Sequence, residues 1–410
     1  MRALPTRTRA GLTPDPLASL APDNLVETYA RLREEAPVHW SPTFGGWVLT
    51  RHADALAILG DPTFLADDPI ARIERIEQRG GLHLPNLKAV LSTVAFYTNP
   101  PRHPQLRRFI SRLFQGLEFS GLRARLERRA DRLLLAAREA GGLDLAAGYG
   151  SDLALFAIHT LLGLPSEDCV ALARIAREIA WIFDASPRSL RELAHAEAQV
   201  GKLLDYFEPE IVRRRGRNQT DGFSLLVRLG DRELGSSDRE LAGFCTFFFI
   251  GGQETTATGI ATSALMLLER DLLRARLIAE PEKLAGATRE FLRLAAPFQY
   301  VVRIAGRDRA IGGETVRSGE RVNIILGAAN RDPAAFPNPD AIDLDRAAPE
   351  SLAFGNGAYR CLGAGLAHVE TEVALAGLLA NPDLRLAPQT VAWQRQTRVP
   401  ALARAWVEFS

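Results

Sequence analysis

A short segment near the end of the chain combines one cysteine with four glycines. Residues 354–365 read Phe-Gly-Asn-Gly-Ala-Tyr-Arg-Cys-Leu-Gly-Ala-Gly, so that Cys361 follows two of the glycines. Glycine lets the backbone turn tightly, and backbone N–H groups in such a turn can point at the sulfur. Residues 362–380 are predicted to form a helix, and the positive end of a helix favours the thiolate form of a nearby cysteine.

A thiolate held in this way can ligate a metal ion, and hydrogen bonds to the sulfur tune how much electron density it gives to the metal. The segment therefore makes Cys361 a candidate metal ligand. A lone cysteine in a glycine turn is more often a buried structural residue, and the single residue does not decide between these readings.

A second chemical pattern lies in the middle of residues 238–270, which are predicted to form one long helix. The stretch from Phe249 reads Phe-Ile-Gly-Gly-Gln-Glu-Thr-Thr. Two glycines inside a helix cost about 1 kcal/mol each, so the close approach of a flat ligand would explain them. Thr255 could donate a hydrogen bond backward to a carbonyl oxygen and open the helix locally. In isolation, Glu254 and Thr255 would be the polar face of a partly exposed helix.

Helical periodicity dominates the elements that must position these residues. Helices are predicted in residues 104–140, in 151–213 with breaks near 164–165 and 185–187, in 238–270 and in 282–295. Strands are predicted in residues 47–50, 309–316 with a turn at Gly312-Gly313, and 322–325. Residues 330–349 are rich in Pro and Asp and are expected to lack regular structure. The pattern predicts a mainly α protein with a minor β part, in one domain over 1–410 without a fused reductase.

The composition excludes several classes of protein. The chain has 410 residues, is 47% hydrophobic and carries a net charge of +1, which gives no basic surplus for nucleic acid. Its three cysteines, at positions 169, 245 and 361, are too dispersed for a disulfide framework and fit a reducing cytoplasm. The most apolar stretch, from Leu241, is interrupted after roughly ten residues, too few to span a bilayer. We expect a soluble cytoplasmic protein.

The spacing F-G-x-G-x-x-x-C-x-G resembles the haem-binding loop of the cytochrome P-450 family, and other motifs extend the resemblance over nearly the whole chain. It implies that Cys361 ligates the iron of haem b and that Phe354, Gly355 and Gly363 contact the cofactor. Tyr359 is a departure, because the family usually has His or Arg there to bond a haem propionate. A phenol can still donate one hydrogen bond, but it is neutral at pH 7.

The resemblance also implies cationic partners for the propionates. His103 and Arg107 share one face of a helix, and both can donate to a carboxylate. Arg303 matches a third such residue. Each of them, taken alone, would be an ordinary exposed cation.

The resemblance further implies a structural triad. Glu290 and Arg293 match the family's E-x-x-R motif. In the family this pair binds an arginine of the irregular stretch, and Arg346 matches that arginine. We assign this triad to folding and haem retention, since an isolated pair of this kind is usually a weak surface ion pair.

The implied activity is that of a monooxygenase, which inserts one oxygen atom from O2 into a small or medium hydrophobic substrate. Glu254 and Thr255 resemble the acid–alcohol pair that delivers protons. No flavin or iron–sulfur signature is present in the sequence, so the electrons must come from an external ferredoxin and its reductase, and we expect a monomer. Two alternatives remain: a hydrogen-peroxide-driven peroxygenase of the same fold, and a non-enzymatic haem-binding sensor. The acid–alcohol pair argues against both.

By analogy with the family, the substrate pocket draws on residues 66–98, 175–195, 247–255, 297–302 and 398–400. The predicted lining residues are apolar or small: Phe96, Phe247, Phe248, Gly251, Phe298 and Val301. Apolar walls favour a hydrophobic substrate. Gln299 is either a polar anchor for the substrate or a residue that faces a loop.

Overall fold

The computed structural model describes residues 15–21, 23–117, 119–183, 188–216, 221–347, 350–388, 391–394 and 398–410. The chain divides into two compact units. We call residues 1–67, 293–360 and 393–400 the sheet unit, and residues 68–292, 361–392 and 401–410 the helical unit. The sequence prediction of a single domain stays a prediction.

The helices that the structure describes are α1 (Leu25–Glu35), α2 (His52–Gly60), α3 (Ile70–Gly80), α4 (Pro85–Leu91), α5 (Arg102–Gly116), α6 (Ser120–Ala140), α7 (Ser151–Leu162), α8 (Ser166–Ile179), α9 (Leu190–Arg215), α10 (Gly222–Glu233), α11 (Asp238–Leu268), α12 (Asp271–Ala279), α13 (Leu284–Ala295), α14 (Leu326–Ala329) and α15 (Ala364–Leu379). The strands are β1 (Val38–Ser41), β2 (Gly46–Leu49), β3 (Phe64–Ala66), β4 (Leu143–Asp144), β5 (Tyr300–Ala305), β6 (Arg309–Ile311), β7 (Glu314–Val316), β8 (Arg321–Ile325), β9 (Leu384–Leu386), β10 (Ala392–Trp393), β11 (Leu402–Arg404) and β12 (Trp406–Phe409).

Local signals in the sequence start and end the helices of the helical unit. The side chain of Ser237 accepts a hydrogen bond from the Glu240 N–H and begins α11. Ser189 and Glu192 form a reciprocal capping box at the start of α9. Gly163, in the left-handed region at φ +68°, ends α7. The helix α11 carries apolar side chains on most of its sides, and most of its residues are therefore buried.

The sheet unit is built on a five-stranded sheet in the order β1-β2-β8-β5-β3. Strands β2 and β8 are parallel, and the other neighbours are antiparallel. In the last pair, Ala66 of β3 lies opposite Arg303 of β5. Both faces of β8 are buried, so Val322, Ile324 and Ile325 form part of the core. The sheet thus holds Arg303 on its second strand from the edge.

Most elements predicted from the sequence are confirmed. The long helix is α11, the turn at Gly312-Gly313 joins β6 to β7, and residues 330–347 form turns without helix or strand. Residues 185–187, where a helix break was predicted, lie outside the described residues. Among the residues that the structure describes, one stretch, Leu145–Leu162, is long and apolar enough to cross a bilayer, and half of it is buried inside the protein.

Candidate active site

The loop before Cys361 is shaped by two glycines in the left-handed region. Gly355 has φ +69° and Gly357 has φ +67°. A Cβ atom on Gly357 would lie 2.3 Å from the carbonyl oxygen of Leu59, so only glycine fits there. The loop is also fixed where it begins, because the Leu352 N–H donates to the side-chain oxygen of Asn330 at 2.7 Å. The sequence requirement for glycine at these positions is therefore structural.

The thiol of Cys361 is exposed, and α15 begins three residues later at Ala364. The glycine between them, Gly363, has an ordinary φ of −83°. A Cβ atom on Gly363 would lie 3.8 Å from both the Cys361 Sγ and the Phe114 Cζ, which is normal van der Waals contact. The described protein atoms therefore do not explain this glycine, whereas a flat ligand beside the sulfur would.

Arg303 is a buried cation with an incomplete set of partners. Its side chain is 5% exposed, and its Nη1 donates to the Val302 carbonyl oxygen at 2.7 Å. Its Nε is buried and has no hydrogen-bond partner among the described residues. Burial lowers the pKa of Arg303 to about 10, so the guanidinium is still charged at neutral pH. A buried charge of this kind calls for an anion.

Tyr359 contacts this cation with its ring. The Arg303 Cζ lies 4.3 Å from the centroid of the Tyr359 ring, a cation–π distance. The Tyr359 oxygen accepts a hydrogen bond from the backbone of Ala66, the residue opposite Arg303 in the sheet. Burial raises the pKa of Tyr359, so the phenol stays neutral. The hydroxyl that the sequence offered to a propionate is thus engaged, at least as an acceptor, on strand β3.

The middle of α11 shows one predicted hydrogen bond and lacks a predicted distortion. The Thr255 Oγ1 donates to the Gly251 carbonyl oxygen at 2.9 Å, as expected. However, α11 runs uninterrupted from Asp238 to Leu268, so the local opening expected from the sequence is not observed. A Cβ atom on Gly252 would lie 2.5 Å from the end of the Ile158 side chain, so helix packing accounts for this glycine. Glu254 and Thr255 are half-buried neighbours on this helix.

Aromatic side chains form a cluster beside α11. Phe96, Phe183 and Phe247 contact one another, with ring centroids 5.7 to 6.4 Å apart. Phe248 continues the cluster, with its ring centroid 5.6 Å from that of Phe247. A Cβ atom on Gly251 would lie 3.3 Å from the Phe247 ring. The structure therefore brings four of the predicted lining residues together and adds Phe183, which the sequence indicated only as part of residues 175–195.

The other predicted cofactor residues occupy two places. His103 is buried and Arg107 is half-buried one turn later on α5, in the helical unit. Phe354 is half-buried at the end of a short 3₁₀ turn in the sheet unit. Each of these residues makes further contacts within the described structure.

The remaining predicted lining residues lie in the sheet unit. The Phe298 ring lies 5.0 Å from the Arg398 Cζ, and Val301 packs against the core of the sheet. The Gln299 amide donates to the carbonyl oxygens of Ala295 at 3.4 Å and Ala296 at 2.8 Å, so this side chain stabilises the turn before β5. This hydrogen bonding favours a structural role for Gln299 over a substrate anchor.

Comparisons with known proteins give a consistent result. The family profile of cytochrome P-450 matches residues 187–405. Mycinamicin IV hydroxylase/epoxidase from Micromonospora griseorubida is 34% identical over 382 residues, which are 89% of this chain and 90% of that protein. Vitamin D(3) 25-hydroxylase from Pseudonocardia autotrophica is 32% identical over 386 residues, covering 92% of this chain and 91% of that protein. This chain belongs to the cytochrome P-450 family.

A solved structure supports the same fold for this cytochrome P-450. The crystal structure of P-450BioI in complex with hexadec-9Z-enoic acid ligated acyl carrier protein superposes with a TM-score of 0.84 at 28% identity. The match covers 95% of this chain and 99% of that one. The protein is accordingly a haem-thiolate monooxygenase, and its cofactor is haem b.

The described residues fit such a cofactor. In the helical unit, an exposed thiol stands beside Gly363, for which the protein atoms give no reason. In the sheet unit, buried Arg303 has an Nε without a described partner, which suits an anionic propionate. Among the described residues, no three His, Cys, Asp or Glu side chains form a metal-binding cluster, and a single axial thiolate needs none.

The family's structural arginines are visible in this cytochrome P-450. Arg293 is 1% exposed, and it shares the carbonyl oxygen of Ala341 with Arg346, each donating at 3.1 Å. Both arginines thus fix the backbone of the irregular stretch before the haem loop. This observation supports a role in folding for Arg293 and Arg346, and the role of the whole triad stays a prediction.

Proposed function

We propose that this cytochrome P-450 oxidises a small or medium hydrophobic compound, with Cys361 as the thiolate that would ligate the haem iron and an external ferredoxin as electron donor. The observation that carries the proposal is the exposed Cys361 thiol, reached through two left-handed glycines and followed by an otherwise unexplained Gly363. A soluble, monomeric, cytoplasmic protein is part of the proposal.

Haem b, when bound, supplies the chemistry of dioxygen activation. The residues proposed to hold it divide by role. Cys361 would ligate the iron, and Phe354, Gly355 and Gly363 would surround the sulfur and the flat ring. The cations His103, Arg107 and Arg303 would pair with the propionates, since charge-assisted hydrogen bonds to a carboxylate are the strong ones.

The α11 helix would supply protons and position them. The Thr255 hydroxyl donates to the Gly251 carbonyl oxygen, which leaves its own oxygen as an acceptor for a water molecule. Glu254, the preceding residue, is half-buried and would exchange protons with solvent. Together they would carry protons from solvent to the side of α11 where the haem would bind.

The aromatic cluster beside α11 supports a hydrophobic substrate. Phe96, Phe247 and Phe248 are half-buried, so each presents part of its ring outside the protein core. The relatives point the same way, because one is named a vitamin D(3) 25-hydroxylase and one structure is a complex with hexadec-9Z-enoic acid ligated acyl carrier protein. We infer a substrate of this apolar character, held by ring faces and without a charged anchor.

The proposed ligand is tested by Cys361→Ser. The variant should lose the ferrous–carbonyl absorption band that is typical of thiolate ligation. Cys169→Ser is a matched control, because Cys169 is a buried free cysteine of the same chain and should leave the band intact. Survival of the band in Cys361→Ser would show that another group ligates the iron.

The mode of oxidation is tested by supplying electrons in two ways. A panel of hydrophobic compounds, screened by the change in iron spin state, identifies a substrate. Product should form with NADH, a ferredoxin and its reductase, and only weakly with hydrogen peroxide. Efficient turnover with peroxide alone would instead support a peroxygenase.

A further inference from the structure

Tyr359 bridges two neighbouring strands of the sheet unit. Its oxygen accepts a hydrogen bond from the backbone of Ala66 on β3, and its ring lies against the guanidinium of Arg303 on β5. Ala66 and Arg303 are directly opposite each other in the antiparallel ladder. One side chain therefore reaches both members of a single strand pair, and its two ends have different partners.

Apart from the Tyr359 ring, few interactions restrict the Arg303 side chain. Its Nη1 turns back to the carbonyl oxygen of its own neighbour, Val302, at 2.7 Å, and its Nε has no partner among the described residues. No described carboxylate lies within ion-pair distance of it. An arginine side chain has many rotamers, and restricting them before a ligand arrives lowers the entropy cost of binding. The flat Tyr359 ring at 4.3 Å is the surface that can restrict this guanidinium.

We propose that Tyr359 is a positioning residue, whose ring face holds Arg303 ready for a haem propionate while its hydroxyl serves the sheet. The proposal rests on the proposed function, in which Arg303 pairs with a propionate. It gives Tyr359 a different role from the His or Arg that the family usually has at this position. Tyr359 would act on the cofactor indirectly, through the cation Arg303. The two ends of the side chain then have separable effects, the ring on haem retention and the hydroxyl on the fold.

The test compares Tyr359→Phe, which keeps the ring, with Tyr359→Leu, which removes it. Haem release from the ferric holoprotein to excess apomyoglobin is the main measurement. Tyr359→Phe should stay within about twofold of wild type, whereas Tyr359→Leu should release haem about tenfold faster, the size expected for a desolvated cation–π contact. Tyr359→Phe should lower only the thermal unfolding midpoint, since the Ala66 N–H loses its acceptor. If Tyr359→Leu does not fold, Tyr359→Met carries the same test.

A double-mutant cycle separates positioning from a general structural role. Each Tyr359 variant is also made in an Arg303→Leu background, where Tyr359→Leu should add nothing to the rate of haem release. The midpoint potential of the haem should fall in Tyr359→Leu and Arg303→Leu, because a positive charge near a propionate favours the reduced iron, and it should not change in Tyr359→Phe.

Three results would overturn the proposal. Equal haem release from Tyr359→Phe and Tyr359→Leu would assign the effect to the hydroxyl. Unchanged release from Tyr359→Leu would show that the ring is not needed. An equal effect of Tyr359→Leu with and without Arg303 would show that the two residues act independently. The ferrous–carbonyl band of the wild type separates these from failure of the proposed function, because its absence would refute thiolate ligation and the Tyr359 role together.

Discussion

Arg293 and Arg303 are both buried in the sheet unit, but they differ in the number of their hydrogen-bond partners. Arg293 donates to three backbone carbonyl oxygens, those of Asn330 and Pro339 at 2.7 Å and that of Ala341 at 3.1 Å. Its charge is therefore solvated by the fold itself. A buried cation with this many partners stabilises the segment that carries them.

Arg303 has one carbonyl oxygen and one aromatic ring as partners. Its Nε is buried with no described acceptor, although the surrounding sheet is well packed. Leaving a buried donor without an acceptor is costly, so such groups in native proteins usually await a water, an ion or a ligand. The contrast supports the proposal that Arg303 binds an anionic ligand, whereas the partners of Arg293 all belong to the fold.

The first and largest expected effect concerns Arg293. Arg293→Leu removes the donor from three carbonyl oxygens at once, so we expect it to lower the free energy of unfolding by about 3 kcal/mol or more. The thermal unfolding midpoint and the yield of soluble haem protein measure the loss. Arg346→Leu is the control, because Arg346 also donates to three carbonyl oxygens, those of Pro337, Asn338 and Ala341, but is more exposed and should cost only about 1 kcal/mol. Equal losses in the two variants would break the distinction between a buried and a surface donor.

The second prediction reverses the first. Arg303→Leu should leave the unfolding midpoint of the haem-free protein unchanged or raise it, because it removes a buried charge with few partners. Haem release from the holoprotein should become roughly tenfold to a hundredfold faster, as a charge-assisted hydrogen bond contributes about 1.5–3 kcal/mol. A haem-free protein that unfolds much earlier, with unchanged haem release, would mean that Arg303 is also a folding residue.

A third prediction applies the same reasoning to a hydroxyl in the helical unit. Thr255 uses its proton on the Gly251 carbonyl oxygen, and its lone pairs remain available to a water molecule. Thr255→Ala should bind haem and substrate normally but form roughly tenfold less product per NADH consumed, with hydrogen peroxide in its place. Thr256→Ala, one residue along the same helix, is the matched control. Equal coupling in Thr255→Ala and wild type would remove Thr255 from proton delivery.

The sequence was sufficient where a function depends on residues close together in the chain. The glycines around Cys361, the backward hydrogen bond of Thr255 and the irregular stretch before the haem loop are all local patterns, and the structure contains them. It was insufficient where strands or helices from distant segments meet. Strand β5 was not predicted, so the contact between Tyr359 and Arg303 could not be foreseen. Gly252 likewise needed a tertiary contact, with Ile158, to be explained.

The fourth and smallest effect concerns the surface of α5, where the same contrast between satisfied and unsatisfied charge recurs. Arg112 forms an ion pair with Glu233 at 2.6 Å, and Arg102 pairs with Glu240. Arg108, exposed one turn before Arg112, has no carboxylate partner among the described residues. If an acidic ferredoxin docks on this helix, Arg108 is the arginine whose charge is most available to attract it.

Arg108→Glu should therefore slow the first electron transfer from a ferredoxin about threefold to tenfold at low salt, while substrate affinity and reduction by dithionite stay unchanged. The charge swap Arg112→Glu with Glu233→Arg is the internal comparison and should have a smaller effect, because the reversed ion pair keeps the local net charge of the wild type. The effect of Arg108→Glu should fade as salt is raised, since the screening length is about 8 Å at physiological ionic strength. Equal slowing by the two variants would mean that ion pairing does not control the docking charge, and a rate that ignores both charge reversal and salt would place the donor on another surface.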